Sequence, residues 1–156
     1  MIVELKAGDA APDFDLPADG GRRVSLRGFK GRPLVVYFYP KDDTTGCTNE
    51  AKGFTETAGD FAKAGVTVVG ISKDSVTRHD KFKAKYGLTI PLAADVEGTM
   101  TEAYGVWVEK ILYGRKYMGI DRSTFLIDAD GKIARTWRKV KVPGHVAQVL
   151  AAAQTL

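Results

Sequence analysis

Between Pro40 and Glu50 the chain reads PKDDTTGCTNE, and Cys47 is the only cysteine in 156 residues. One thiol excludes an internal disulfide and a cysteine-rich zinc site, and the widely separated His79 and His145 suggest no metal cluster. Taken alone, such a thiol is read as a small buried hydrophobe. Its position argues for more. The apolar run PLVVYFY ends at Pro40, and Cys47, Ala51, Phe54, Ala58 and Phe61 then recur at spacings of four, three, four and three, one stripe down a helix. Cys47 therefore falls in the first turn of a helix that follows a strand. There it sits beside unpaired backbone N–H groups and the positive end of the helix dipole, which favour an anion. A free thiol is only about 3% thiolate at pH 7, whereas a pKa near 6 would raise that to about 90%. Any acceleration beyond roughly thirtyfold then needs groups that organise a substrate.

The neighbours each carry two readings. Thr44 is a common type of helix cap, and its hydroxyl could also reach a ligand. Pro40 ends the strand because it lacks an N–H, or its ring shelters the sulfur from water. Glu50, one turn beyond Cys47, is either a solvated helix residue or a partner that orients an arginine.

These residues need a scaffold, and the remaining pattern supplies one. FDL and VSL flank the turn-rich PADGGRR, and PLVVYFY reads as a central strand. The helix carrying Cys47 should stop near Gly65, with VTVVGIS following as a second buried strand. Ser75 caps a helix holding Phe82 and Tyr86 and closed by Gly87. TMTEAYG is a short helical piece, STFLID and KIARTWRKV form an antiparallel pair around Ala129, Asp130 and Gly131, and GHVAQVLAAAQTL closes the chain as a helix. The order predicts an α/β sandwich, helices covering a mixed sheet, in a single domain over 1–156.

Composition sets the outer limits. Hydrophobic residues make up 44% and charged residues 27%, the mixture of an ordinary globular domain. A net charge of +4 with both signs spread along the chain argues against nucleic acid. MIVELK is interrupted by Glu4, and no apolar stretch approaches the roughly 18 residues of a membrane span, so the expectation is a cytoplasmic protein with no membrane partner. His79 and His145 are read as helix-surface positions, Trp107 and Trp137 as packing residues, and Asp42 and Asp43 as a solvated loop. Lys139 and Lys141 are read as one wet face of the last strand.

PKDDTTGCTNE resembles the active-site pattern of the peroxiredoxins: proline, three residues, threonine, two residues, cysteine. Its surroundings, with KDSVTRHDKFKAKYGL, YGVWVEK, YMGIDRSTFLID and WRKVKVPGHVAQVL in order, are similar to the bacterioferritin comigratory protein or Q-type branch. The resemblance implies a thioredoxin-like fold with an N-terminal β-hairpin extension, and reduction of hydrogen peroxide or organic hydroperoxides by Cys47 through a sulfenic acid. It matches Pro40, Thr44 and Glu50 to the family pattern and adds Arg122, from RSTFLID, as the cation that favours the thiolate and binds peroxide oxygens. It implies no metal or organic cofactor. Two departures stand out. Thr45 replaces a common proline, and Lys52 occupies the place five residues after Cys47 where many relatives carry a resolving cysteine. Recycling then falls to an external thiol such as thioredoxin, glutaredoxin or glutathione, or to a second Cys47 in a weak homodimer. The alternative is a peroxide sensor or relay that hands its oxidation to a partner protein.

Overall fold

The computed structural model describes residues 4–156; Met1–Val3, half of the MIVELK run, lie outside the described residues. β1 (Asp15–Pro17) and β2 (Arg23–Ser25) pair as the antiparallel hairpin that the PADGGRR turn predicts. β3 (Leu34–Phe38) is buried at all five positions, as a strand covered on both faces must be. α1 (Thr45–Lys63) carries Cys47, and the chain leaves it through Gly65, whose φ of 76° lies in the left-handed region. β4 (Thr67–Ser72) pairs in parallel with β3. α2 (Val76–Tyr86) is capped by Ser75, whose hydroxyl accepts from the Arg78 N–H at 3.2 Å, and ends at Gly87. β5 (Leu92–Ala94) and α3 (Thr99–Ala103) follow. β6 (Trp107–Leu112) and β7 (Arg115–Ile120) form a second hairpin. β8 (Ser123–Ile127), β9 (Ile133–Trp137) and α4 (His145–Ala153) complete the chain.

The main sheet runs β5-β4-β3-β8-β9, parallel from β5 to β3 and antiparallel from β3 to β9. Because alternate strand residues point to opposite faces, β3 divides its side chains between two cores. Leu34, Val36 and Phe38 meet Ile71, Phe125, Met100 and Tyr104 on one face. Val35 and Tyr37 face α1, α2 and α4 on the other, among Cys47, Phe54, Phe82 and Val149. The Tyr37 ring stacks on Phe54 with centroids 4.6 Å apart, and it lies so close over Gly70 that a Cβ there would stand 2.8 Å from its ring carbon. Truncating a buried aromatic of this kind costs about 3–5 kcal/mol. This packing fixes α1 against the sheet and so fixes Cys47.

β5, β6 and β7 lie outside the elements read from the sequence. β5 has three residues, too few to show a period, and β6 and β7 are mostly exposed, so no apolar alternation marks them. Other expectations need correction. β9 stops at Trp137, so Lys139 and Lys141 lie beyond it on the segment leading to α4, not on a strand face. His79 and His145 are 0% and 3% exposed, and Asp42 is 4% exposed; each side chain has a buried hydrogen-bond partner, which a period-based reading does not foresee. Asp43 is exposed as expected.

Candidate active site

Cys47 occupies the third position of α1, at the end of the loop that leaves β3. Thr44 stands at the cap position with an extended backbone, and its carbonyl accepts the Thr48 N–H at 2.8 Å. That is the first N–H of the helix to find a carbonyl, so among the described residues the N–H of Cys47 has no backbone acceptor. The Thr44 hydroxyl makes no cap. It donates instead to the Lys41 carbonyl at 2.9 Å, which leaves its oxygen free to accept. Pro40, at the start of the same loop, is exposed, while Cys47 itself is 1% exposed.

Arg122 sits in the connection between β7 and β8, and the pairing of β8 with β3 carries it over the start of α1. Its Nη2 donates to Cys47 Sγ at 3.3 Å and its Nη1 to Glu50 Oε1 at 2.7 Å. Gly46 makes the approach possible: a Cβ there would stand 3.2 Å from Nη2. The Val140 N–H donates to the Arg122 carbonyl at 3.0 Å, tying the segment after β9 to the site. A guanidinium carries donors only, so the sulfur accepts, and a thiolate accepts far better than a thiol. Burial works against the charge on Arg122, but Glu50 and Cys47 outweigh it and hold its pKa above the ordinary range. Glu50 is fully buried. Burial pushes its carboxyl up to about 7 against the downward pull of Arg122, and its Oε2 has no hydrogen-bond partner among the described residues.

Of the five residues expected at the site, Arg122 contacts both Cys47 and Glu50, and Pro40 and Thr44 lie on the loop that leads from β3 into α1. Sequence reasoning missed others. Lys110 on β6 is half-buried within electrostatic range of Cys47 and Arg122, and burial lowers its pKa. Lys110 ends the YGVWVEK stretch, and nothing in that stretch alone separates it from a surface lysine. His145 begins α4, with Nε2 2.8 Å from Thr124 Oγ1 and its ring edge-on to Phe54 and Trp137. Burial, then Arg122, drives its pKa down to about 4, so it is neutral near pH 7.

A cysteine at a helix start, held by an arginine on a mixed sheet with this topology, defines a class. Residues 7–136 match the AhpC/TSA family, and the chain belongs to it. Within that family it is a peroxiredoxin of the Bcp or Q branch, a thiol-dependent peroxidase, with the single cysteine Cys47. It is 52% identical to a putative peroxiredoxin bcp of Coxiella burnetii over 95% of this chain and 98% of that one. Identity to peroxiredoxin Bcp of Bacillus subtilis is 47%, covering 96% and 94%. The fold superposes on peroxiredoxin Q of Xanthomonas campestris with a TM-score of 0.90, at 44% identity over 96% of this chain and 97% of that one. Against PrxQ of Xylella fastidiosa the TM-score is 0.93, at 38% identity over 98% of each chain. Among the described residues no helix is long and apolar enough to cross a membrane.

Proposed function

We propose that Cys47 is the peroxidatic residue and that residues 1–156 work as one unit with Thr44, Arg122, Pro40 and Glu50 around it. The observation that carries this is the Arg122 guanidinium bridging Cys47 Sγ and Glu50 Oε1. The thiolate attacks one peroxide oxygen, an S–O bond forms as the O–O bond breaks, and the other oxygen leaves as alkoxide or hydroxide and takes up a proton. Negative charge moves across the O–O bond, so donors aimed at both oxygens bind the transition state more tightly than the ground state. Arg122, the free N–H of Cys47 and the Thr44 hydroxyl are those donors once Thr44 releases the Lys41 carbonyl.

Organic hydroperoxides are substrates beside hydrogen peroxide: a Xanthomonas campestris bacterioferritin comigratory protein, 41% identical with a TM-score of 0.88, has been described for alkyl peroxide reduction. The sulfenic acid condenses with an external thiol to give a mixed disulfide and water, and a second thiol releases the Cys47 thiol and a free disulfide. Thioredoxin, glutaredoxin and glutathione are the candidate thiols, and the enzyme works in the cytoplasm as a monomer or weak homodimer.

Cys47→Ser tests the assignment, because a serine hydroxyl is of similar size and is not ionised at neutral pH. Peroxide consumption should fall below a few per cent of wild type with far-UV circular dichroism unchanged. In parallel, intact mass after one equivalent of peroxide should show one added oxygen in wild type and none in the variant. Substantial residual turnover by Cys47→Ser would sink the assignment.

A further inference from the structure

Beside the site lies a buried polar cluster that the chemistry above does not use. Tyr39, Asp42 and His79 are 1%, 4% and 0% exposed. The Tyr39 hydroxyl donates to Asp42 Oδ1 at 2.6 Å, His79 Nδ1 lies 2.6 Å from Asp42 Oδ2, and His79 Nε2 lies 3.0 Å from the Ala93 carbonyl. A carbonyl only accepts, so Nε2 carries a hydrogen. The contact between Nδ1 and Oδ2 needs a further proton on one of the two atoms, so the acid and the imidazole hold one between them. Every side-chain polar atom in the cluster has a partner, and a buried network satisfied in this way specifies one arrangement.

What it specifies is the path of the loop from β3 to α1. The Asp42 N–H donates to Asp74 Oδ2 at 2.8 Å, and the same oxygen accepts from Ser72 Oγ at 2.8 Å. Asp43 next to it adopts φ 60°, a left-handed conformation that aspartate, asparagine and glycine adopt more readily than other residues, and its carboxylate is gripped from outside by the Tyr86 hydroxyl and by Lys85 Nζ at 2.8 Å. α2 and the residues just before it thus clamp two consecutive loop residues, one from within and one from without. Thr44 comes next in the chain, and Cys47 begins three residues later.

We propose that His79, acting through Asp42, is a positioning residue for the reaction of Cys47 with hydroperoxide. The cluster sets the loop so that Thr44 and the Cys47 N–H face the same peroxide that Arg122 holds. His79 touches no reacting atom. Its effect comes from geometry, since a misplacement of about 1 Å at a reacting centre costs on the order of 100-fold in rate. This rests on the reading of Cys47 given above.

Three variants in single-turnover reactions, timed by acid quench and intact mass, test it. His79→Phe breaks the contacts to Asp42 and Ala93 and should slow oxidation of Cys47 by about tenfold or more. Tyr39→Phe removes one hydrogen bond and should slow it by about threefold. Asp42→Asn is the conservative variant: its oxygen still accepts from Tyr39, and its amide donates to a neutral His79 that keeps its hydrogen on Nε2. Its rate should stay within about twofold of wild type. A purely structural role would lower the melting temperature of His79→Phe but leave the rate of its folded fraction unchanged, and that result overturns the proposal. So does an Asp42→Asn variant as slow as His79→Phe. If His79→Phe does not fold, the order of Tyr39→Phe below Asp42→Asn decides, and equal rates for the two overturn it. Failure of wild type to gain oxygen at Cys47 would instead refute the site assignment.

Discussion

Asp42 and Glu50 are two buried carboxylates on either side of Cys47, and they are satisfied in opposite ways. Both oxygens of Asp42 are bonded, one to Tyr39 and one to His79. Glu50 has Arg122 on Oε1 and, among the described residues, nothing on Oε2. A fully paired buried acid belongs to the framework, because every alternative arrangement leaves a polar group orphaned. Burial lifts Glu50 to about 7 against the pull of Arg122, so this half-paired acid is held close to changing its charge. Near Cys47, one acid holds the backbone and the other holds the guanidinium that faces the sulfur.

The largest effect should come from removing the guanidinium. Arg122→Ala deletes the donor to Cys47 and orphans Glu50, and it should lower the second-order rate constant for peroxide by about two orders of magnitude, or about 2.7 kcal/mol, the scale of one preorganised transition-state donor. Stopped-flow mixing measures it, and a change smaller than threefold would remove Arg122 from the chemistry.

A medium effect should follow from Glu50. Its carboxylate forms as pH rises through about 7, so the wild-type peroxide rate should climb across that midpoint, whereas Glu50→Gln should lack the step. Stability should move the other way. The folded pKa lies above the ordinary 4.5, so the folded state binds more protons between those values, and stability is lost as pH rises from about 4.5 to 7. The urea midpoint at pH 8 relative to that at pH 5 should therefore be higher in Glu50→Gln than in wild type, because the variant lacks this falling contribution. An unchanged activity profile in the variant would show that Glu50 does not titrate in the working range.

The smallest effect sharpens the same contrast. His145, neutral in the fold with a pKa of about 4, is protonated more readily in the unfolded chain, so its contribution is full above pH 6.5 and is lost as pH falls towards 4. Between pH 4.5 and 6.5 it opposes Glu50, and wild type should show a shallow net slope there. His145→Asn should steepen the loss of stability with rising pH, measurable as urea midpoints at half-unit steps. The same slope in both proteins would mean that His145 is not buried neutral.

Local pattern was enough for what repeats along the chain. The stripe from Cys47 to Phe61 becomes the buried face of α1, Ser75 caps α2, and β3, β4 and β8 lie where their apolar runs place them. Four of the five residues proposed for the site, Pro40, Thr44, Cys47 and Glu50, were legible together because they lie within eleven consecutive residues. Arg122 was found only through the family resemblance, since nothing in its local sequence distinguishes it from a surface arginine. Tertiary structure alone decided the rest. His79 and Asp42 are 37 residues apart and are polar in a chain where polar residues usually face water; β3, α2 and β5 bring them together and remove the water. Periodicity records which side of an element is apolar. It carries no record of which two polar groups meet when the elements close, and in this fold those meetings determine where the loop carrying Thr44 lies and how Glu50 is charged.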